Sequence, residues 1–136
     1  MSGAESFFDT NILLYLLSGE SDKADRAEVV LVKGGIISVQ VLNEFAAVAS
    51  RKLGMSYPEI REALETIRWV CKVEPLTLQT HGLGLQIAER YGFSVYDSLI
   101  VASALMAGCK TLYSEYLQHG QFIDGRLVIQ NPFATE

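Results

Sequence analysis

Three acidic residues lie in apolar surroundings, where a carboxylate is unusual. Asp9 follows Phe7 and Phe8, Asp97 precedes the apolar run 99–101, and Glu44 lies about one turn inside a helical segment. Carboxylates brought together in such a setting repel one another and resist ionisation unless a cation joins them. A hard divalent metal with oxygen ligands is their natural partner. The three residues therefore predict a metal centre.

Each acid also has a purely structural interpretation. Asp9 can cap the helix that begins at the next residues, and Asp97, three positions after Ser94, completes a capping box. Glu44 shares a helical face with Gln40, Asn43, Ala47 and Arg51, which is typical of a solvated stripe. For any one acid alone, the structural interpretation is at least as good. Their placement in the fold has to decide.

The elements that position these acids alternate along the chain. Short β-branched or aromatic segments predict strands, and segments with helical periodicity predict helices. The predicted strands are 5–8, 36–39, 70–76, 110–113 and 127–129, and the predicted helices are 12–17, 22–33, 39–53, 56–69, 77–91 and 94–107. Asp22 is the expected cap of the second helix. This alternation predicts an α/β fold with a mostly parallel sheet covered by helices on both faces.

The alternation also places the acids. In parallel sheets the ligand crevice lies beyond the carboxyl ends of the strands. Asp9 ends the first predicted strand, Glu44 lies in the helix after the second, and Asp97 opens the helix before the fourth. All three are therefore expected at the same edge of the sheet.

Composition predicts one domain, spanning residues 1–136. The chain has 49% hydrophobic residues and no low-complexity segment or repeat. The N-terminus lacks the basic start and long apolar segment of a signal peptide, and no apolar run reaches the roughly 20 residues that span a bilayer. We expect a cytoplasmic protein with no membrane segment. Two cysteines and two histidines, widely spaced, do not form a zinc motif.

The net charge of −5 argues against a protein that holds nucleic acid by bulk attraction. A carboxylate cluster accounts for several of these charges, and a bound metal would neutralise them locally. A short basic rim would then be enough to hold a nucleic acid.

Several motifs, in order along the chain, resemble the PIN domain and most closely bacterial VapC toxins. They include 9–11 (Asp-Thr-Asn) after an apolar strand, 43–45 (Asn-Glu-Phe) and 96–100 (Tyr-Asp-Ser-Leu-Ile). The similarity continues through 88–92, 112–115, 117–121 and 131–133. Each fragment alone is a weak signal, but their ordered occurrence covers nearly the whole chain.

The resemblance implies an endoribonuclease that depends on Mg²⁺ or Mn²⁺ and acts as the toxin of a toxin–antitoxin pair. It makes Asp9 and Asp97 direct metal ligands and Glu44 the acid that holds a metal-bound water or a second ion. It places Thr10, Asn11 and Ser114 beside the metals. It also implies an RNA substrate, a VapB-type antitoxin that blocks the carboxylate site, and a homodimer. The apolar helices beginning near Ile12 and Val39 offer a groove for the antitoxin or form ordinary core.

Tyr116 departs from the family pattern, which has a fourth acid, an aspartate, at this position. Tyrosine stays protonated at neutral pH and is a poor ligand for Mg²⁺. Three explanations remain open. Glu115 substitutes for the missing acid, although adjacent residues of an extended segment point to opposite faces. Otherwise the protein has naturally lost its second metal, or a single-base change was selected during cloning of a toxic nuclease.

Two further functions compete with the nuclease. A catalytically silent PIN domain would keep its affinity for antitoxin or RNA after losing the fourth acid. A phosphatase or a response-regulator-like domain is disfavoured, because the first strand ends in 9–11 without a second nearby acid. No glycine-rich phosphate loop follows any predicted strand.

Overall fold

Six short strands form one sheet in the computed structural model, which describes residues 6–134. They are β1 (Ser6–Phe8), β2 (Gly35–Ser38), β3 (Cys71–Glu74), β4 (Thr111–Tyr113), β5 (Phe122–Ile123) and β6 (Leu127–Gln130). The sheet order is β3-β2-β1-β4-β6-β5, and every neighbouring pair is parallel except β5 with β6. The predicted α/β fold with a mostly parallel sheet is confirmed.

Within residues 6–134, six α-helices connect or flank these strands. They are α1 (Thr10–Leu14), α2 (Ser21–Leu31), α3 (Val39–Arg51), α4 (Tyr57–Val70), α5 (Leu78–Tyr91) and α6 (Val95–Met106), and a 3₁₀ turn (Tyr15–Leu17) follows α1. Phe7 and Phe8 are both fully buried although consecutive strand residues point to opposite faces. Both faces of the sheet are therefore covered at β1. No helix among residues 6–134 is long and apolar enough to cross a bilayer.

Several predicted boundaries were wrong. The first helix begins at Thr10 and tightens into the 3₁₀ turn instead of continuing as one helix. Asp22 lies inside the first turn of α2 and does not cap it, since Glu20 holds the cap position without a side-chain bond. Val70 is the last residue of α4 rather than the start of a strand. The predicted start of β1, Glu5, lies outside the described residues.

Strand β5 was missed because it has two residues and Phe122 is exposed. It pairs with β6 through a tight turn in which Asp124 and Gly125 have φ of 52° and 66°. Positive φ at both central residues is typical of the type I′ hairpin turn, which favours Asp-Gly. Tyr91 fastens this turn to α5, because its hydroxyl donates to Asp124 Oδ1 and accepts from Asp124 N.

Two glycines inside α5 have no explanation in the sequence, because glycine destabilises a helix interior by about 1 kcal/mol relative to alanine. The structure explains Gly84, which faces α6: a Cβ there would lie 2.8 Å from Leu99 Cδ2. A Cβ at Gly82 would meet nothing within 4 Å, and the structure gives no reason for this glycine.

We therefore expect opposite outcomes for alanine at the two positions. Gly82→Ala should stabilise the protein by up to about 1 kcal/mol, because helix propensity improves in open space. Gly84→Ala should be worse than Gly82→Ala by about 1 kcal/mol or more, because Leu99 must move in a close helix contact. Urea unfolding of the two variants measures the difference. Equal gains would show that α5 and α6 are not closely packed at Gly84.

Candidate active site

Asp9 occupies the junction between β1 and α1, with 5% of its surface exposed. Its main-chain N donates to Tyr113 O on β4 at 2.9 Å, which fixes the junction to the neighbouring strand. Oδ1 accepts from Thr10 N at 2.7 Å, so Asp9 does cap α1, as its structural interpretation predicted. Oδ2 accepts from Ser114 Oγ at 2.8 Å. A carboxylate oxygen has two lone pairs, so each oxygen keeps one for a further ligand.

Glu44 is half-buried in α3, so it does not belong to a fully solvated stripe. The helix is capped by Ser38, whose Oγ accepts from Val41 N. Glu44 Oε1 accepts from Thr10 Oγ1 at 2.8 Å, and Oε2 accepts from Gln40 Nε2 at 3.0 Å. Thr10 thus bonds to both acids: its main-chain N donates to Asp9 and its hydroxyl donates to Glu44. Both oxygens of Glu44 are held in place.

Asp97 lies in the first turn of α6 and is half-buried. Ser94 caps this helix, because its Oγ accepts from Asp97 N at 3.1 Å. The Asp97 side chain faces the same cavity of about 350 Å³ as the other two acids. This cavity, which we call the acidic cavity, is lined by Asp9, Thr10, Asn11, Leu14, Glu44, Ala47, Val48, Asp97 and Tyr116. The structure therefore brings together three acids that are far apart in the sequence.

The nine described residues that line the acidic cavity include no Lys, Arg or His. Burial raises the pKa of Asp9 to about 6, and the charges of Asp97 and Glu44 add to this effect against the hydrogen bonds from Ser114 and Thr10. Burial also raises the pKa of Asp97, with a further contribution from Glu44. Perturbed carboxylates of this kind in a cavity are typical of functional sites. A cation between them would favour their ionised forms.

The donor set suits a hard metal ion, although it is incomplete. Within residues 6–134, no three Asp, Glu, His or Cys side chains converge into a ready-made metal site. Mg²⁺ usually keeps several waters and binds through one or two carboxylates, so a closed protein cage is not required. Asp9, Glu44 and Asp97 supply oxygen ligands with free lone pairs around one cavity. These residues fit Mg²⁺ or Mn²⁺, and their role as ligands remains a prediction.

The predicted supporting residues lie close to the acids but differ in what they contact. Thr10 and Asn11 line the acidic cavity, whereas Ser114 is buried and holds Asp9 from behind. Asn11 Oδ1 accepts from Glu115 N at 3.0 Å, which ties the segment after β4 to α1. Gln40 was not predicted as a site residue. Its spacing of four residues from Glu44 on one helix was the available signal.

Glu115 does not take the place of the fourth acid that the resemblance implies. Its Oε1 accepts from Tyr15 Oη at 2.6 Å and its Oε2 from Lys23 Nζ at 2.7 Å, away from the acidic cavity. Burial alone would raise the pKa of Glu115, but the bonds from Lys23 and Tyr15 lower it overall. Tyr116 lines the acidic cavity itself, with 76% of its surface exposed. Tyrosine therefore stands at the edge of the carboxylate site.

Solved structures with the same fold include several toxin–antitoxin assemblies. A toxin–antitoxin complex from Klebsiella pneumoniae superposes with a TM-score of 0.73 at 19% identity, covering 96% of this chain and 99% of that chain. VapBC2 from Rickettsia felis, bound to a promoter DNA fragment, superposes with a TM-score of 0.66 at 18% identity, covering 93% of this chain and 97% of that chain. VapC20 from Mycobacterium tuberculosis, described as a sarcin-ricin loop cleaving toxin, superposes with a TM-score of 0.65 at 19% identity. The match covers 79% of this chain and 86% of that chain. No curated protein matches the sequence significantly.

The sequence itself identifies the family. The family model described as PIN domain matches residues 6–115, which include all three acids and every strand through β4. The match ends immediately before Tyr116, the position that departs from the expected pattern. Fold, sequence match and the arrangement of the acids agree, and the chain belongs to the PIN domain family.

Proposed function

We propose that the protein is a metal-dependent endoribonuclease, using Mg²⁺ or Mn²⁺, and the toxin of a VapBC-type toxin–antitoxin pair. The observation that carries the proposal is that three carboxylates from β1–α1, α3 and α6 line one cavity in a PIN domain. Similar structures support it, since one is described as a sarcin-ricin loop cleaving toxin. The raised pKa values of Asp9 and Asp97 also support it, because a cation in the cavity would favour the ionised carboxylates.

The chain's residues divide the work of phosphodiester hydrolysis. When bound, the metal supplies a Lewis acid that polarises the phosphodiester and helps water to ionise. Asp9 and Asp97 would hold it. Glu44 would orient a water, because Thr10 and Gln40 fix both of its oxygens and leave one lone pair free on each. Ser114 keeps Asp9 oriented through its bond to Oδ2.

A VapB-type antitoxin is the proposed partner, and the homodimer and cytoplasmic location belong to the same proposal. Similar structures include toxin–antitoxin complexes from Klebsiella pneumoniae and Rickettsia felis. Leu14 of α1 and Ala47 and Val48 of α3 form an apolar part of the wall of the acidic cavity. A partner helix lying across these residues would cover the carboxylates and block access of RNA.

Asp97→Asn tests the proposal, since it removes a charge without changing side-chain size. We expect cleavage of RNA in Mg²⁺ or Mn²⁺ to fall by about a hundredfold or more, because a metal ligand is lost. Gel analysis of a structured RNA panel and titration with Mn²⁺ measure activity and metal binding. Glu65→Gln is the matched control, because Glu65 lies on α4 and does not line the acidic cavity. Full activity of Asp97→Asn would contradict the proposed site.

A catalytically silent binding module is the second candidate. Two points support it: Tyr116 stands where the resemblance implies a fourth acid, and within residues 6–134 no three potential ligands converge. This candidate predicts binding of antitoxin or RNA without Mn²⁺ binding. Tight Mn²⁺ binding together with RNA cleavage would contradict it.

A further inference from the structure

A second cavity adjoins the acidic cavity and differs from it in charge. It has a volume of about 330 Å³, within the range of small-molecule sites, and shares four lining residues with the acidic cavity: Asn11, Leu14, Val48 and Tyr116. Tyr15, Ser18, Lys52 and Leu53 complete its lining. We call it the side cavity. None of these eight residues is acidic, and Lys52 gives the side cavity a positive charge.

Tyr116 stands at the boundary between the two cavities with most of its ring exposed. The backbone on its N-terminal side is held, since Glu115 N donates to Asn11 and the Glu115 carboxylate accepts from Tyr15 and Lys23. A positioned, exposed aromatic ring is the feature on which proteins stack nucleobases of single strands. A base stacked on Tyr116 would lie beside the three carboxylates, because they line the same cavity.

Lys52 follows α3 at its C-terminal cap and is exposed. The three ion pairs found among residues 6–134 do not use Lys52. A lysine that lines a cavity free of carboxylates can contact a phosphate. The acidic cavity and the side cavity together thus offer three carboxylates, an aromatic ring and a cation in succession, an order that suits a nucleic acid strand.

We propose that Tyr116 and Lys52 form a nucleotide subsite for single-stranded RNA. A base of the substrate stacks on Tyr116, and a phosphate of the same strand contacts Lys52 while the cleaved phosphate lies at the carboxylates. The subsite rests on the proposed nuclease function and assigns a role to the residue that replaced the fourth acid. Tyr116 then contributes to substrate affinity rather than to metal binding.

Binding of a short fluorescein-labelled single-stranded RNA, followed by anisotropy with Ca²⁺ in place of Mg²⁺, tests the subsite. We expect Tyr116→Ala to weaken binding by about 5- to 150-fold, the loss of one stacked base. Tyr116→Phe should stay within about twofold, because the ring is kept. Lys52→Gln should lower the slope of log K against log salt by about 0.7, the loss of one phosphate contact.

The controls use an exposed aromatic and an exposed cation far from both cavities. Trp69→Ala and Arg68→Gln on α4 should leave RNA affinity unchanged, since these residues line a separate depression with Glu65. If Tyr116→Ala binds RNA as tightly as the native protein, the subsite is overturned, even where the native protein cleaves RNA. The exposed ring would then belong to a surface for a protein partner. Weakened binding by Tyr116→Ala without metal-dependent cleavage would keep the subsite and contradict the nuclease proposal.

Discussion

Tyr116→Asp is expected to raise Mg²⁺-dependent cleavage of structured RNA by orders of magnitude. Tyr116 already lines the acidic cavity with Asp9, Glu44 and Asp97, so an aspartate there adds a fourth carboxylate to the same site. Hard divalent ions prefer carboxylate oxygens to a protonated phenol, and the added charge strengthens metal binding. The raised pKa values of Asp9 and Asp97 should fall as the ion binds. Rates over a Mg²⁺ titration measure the effect.

The proposed subsite adds a second expectation for the same variant. Because Tyr116→Asp loses the stacking ring while it gains a ligand, kcat should rise while KM for RNA also rises. Tyr116→Asn is the matched control, since it removes the ring without adding a charge, and it should cleave no better than the native chain. If Tyr116→Asp also cleaves no better than the native chain across a broad RNA panel, position 116 is not a metal site.

Glu115 shows why the sequence could not decide what replaces the missing acid. The sequence argument assumed alternation along an extended segment, but residues 115–117 form a bend. Glu115 bonds to Tyr15 and Lys23, and Tyr116 lines the acidic cavity. The partners of Glu115 were not predictable, because Lys23 lies 92 residues away in the chain.

The helices were predictable from hydrophobic periodicity where it was strong, as in α3 and α4. α6 is apolar on most of its sides, so it was recognised from its cap at Ser94 and from Gly108 after its end. Boundaries failed where local signals conflicted: Val70 is β-branched yet ends α4, and β5 is too short to give a pattern. The edge of the sheet at which the acids meet followed from the alternation of elements alone. The hydrogen bonds that orient them, from Thr10 and Ser114, depend on tertiary packing and needed the structure.

Asp9→Asn is expected to stabilise the metal-free protein near neutral pH. Burial raises the pKa of Asp9 from 3.8 to about 6, so the folded state binds this proton more tightly than the unfolded chain. Above pH 6 the buried charge then costs up to about 3 kcal/mol of unfolding free energy. The penalty arises between about pH 4 and pH 6 as pH rises. Asparagine avoids it, since its Oδ1 can still accept from Thr10 N and its Nδ2 can donate to Ser114 Oγ.

Thermal or urea unfolding in EDTA between pH 4 and pH 8 measures this difference. The free energy of unfolding of Asp9→Asn should exceed that of the native chain most above pH 6, and the difference should be close to zero near pH 4. Asp124→Asn is the control of opposite sign, because the bond from Arg90 lowers the pKa of Asp124 and its ionised form therefore stabilises the fold at neutral pH. Equal stability of Asp9→Asn and the native chain at every pH would show that Asp9 carries no buried charge.

Addition of Mn²⁺ should reverse the order of stability, so that the native chain becomes more stable than Asp9→Asn. A ligand that binds only the folded state stabilises it in proportion to the logarithm of its concentration over Kd. The native chain should gain stability with Mn²⁺, while Asp9→Asn should gain little because its neutral amide is a weaker ligand. The same carboxylate then destabilises the metal-free fold and binds the ion, as expected where a site is kept charged for function at a cost in stability. If Mn²⁺ raised the stability of both proteins equally, the ion would bind elsewhere than at Asp9.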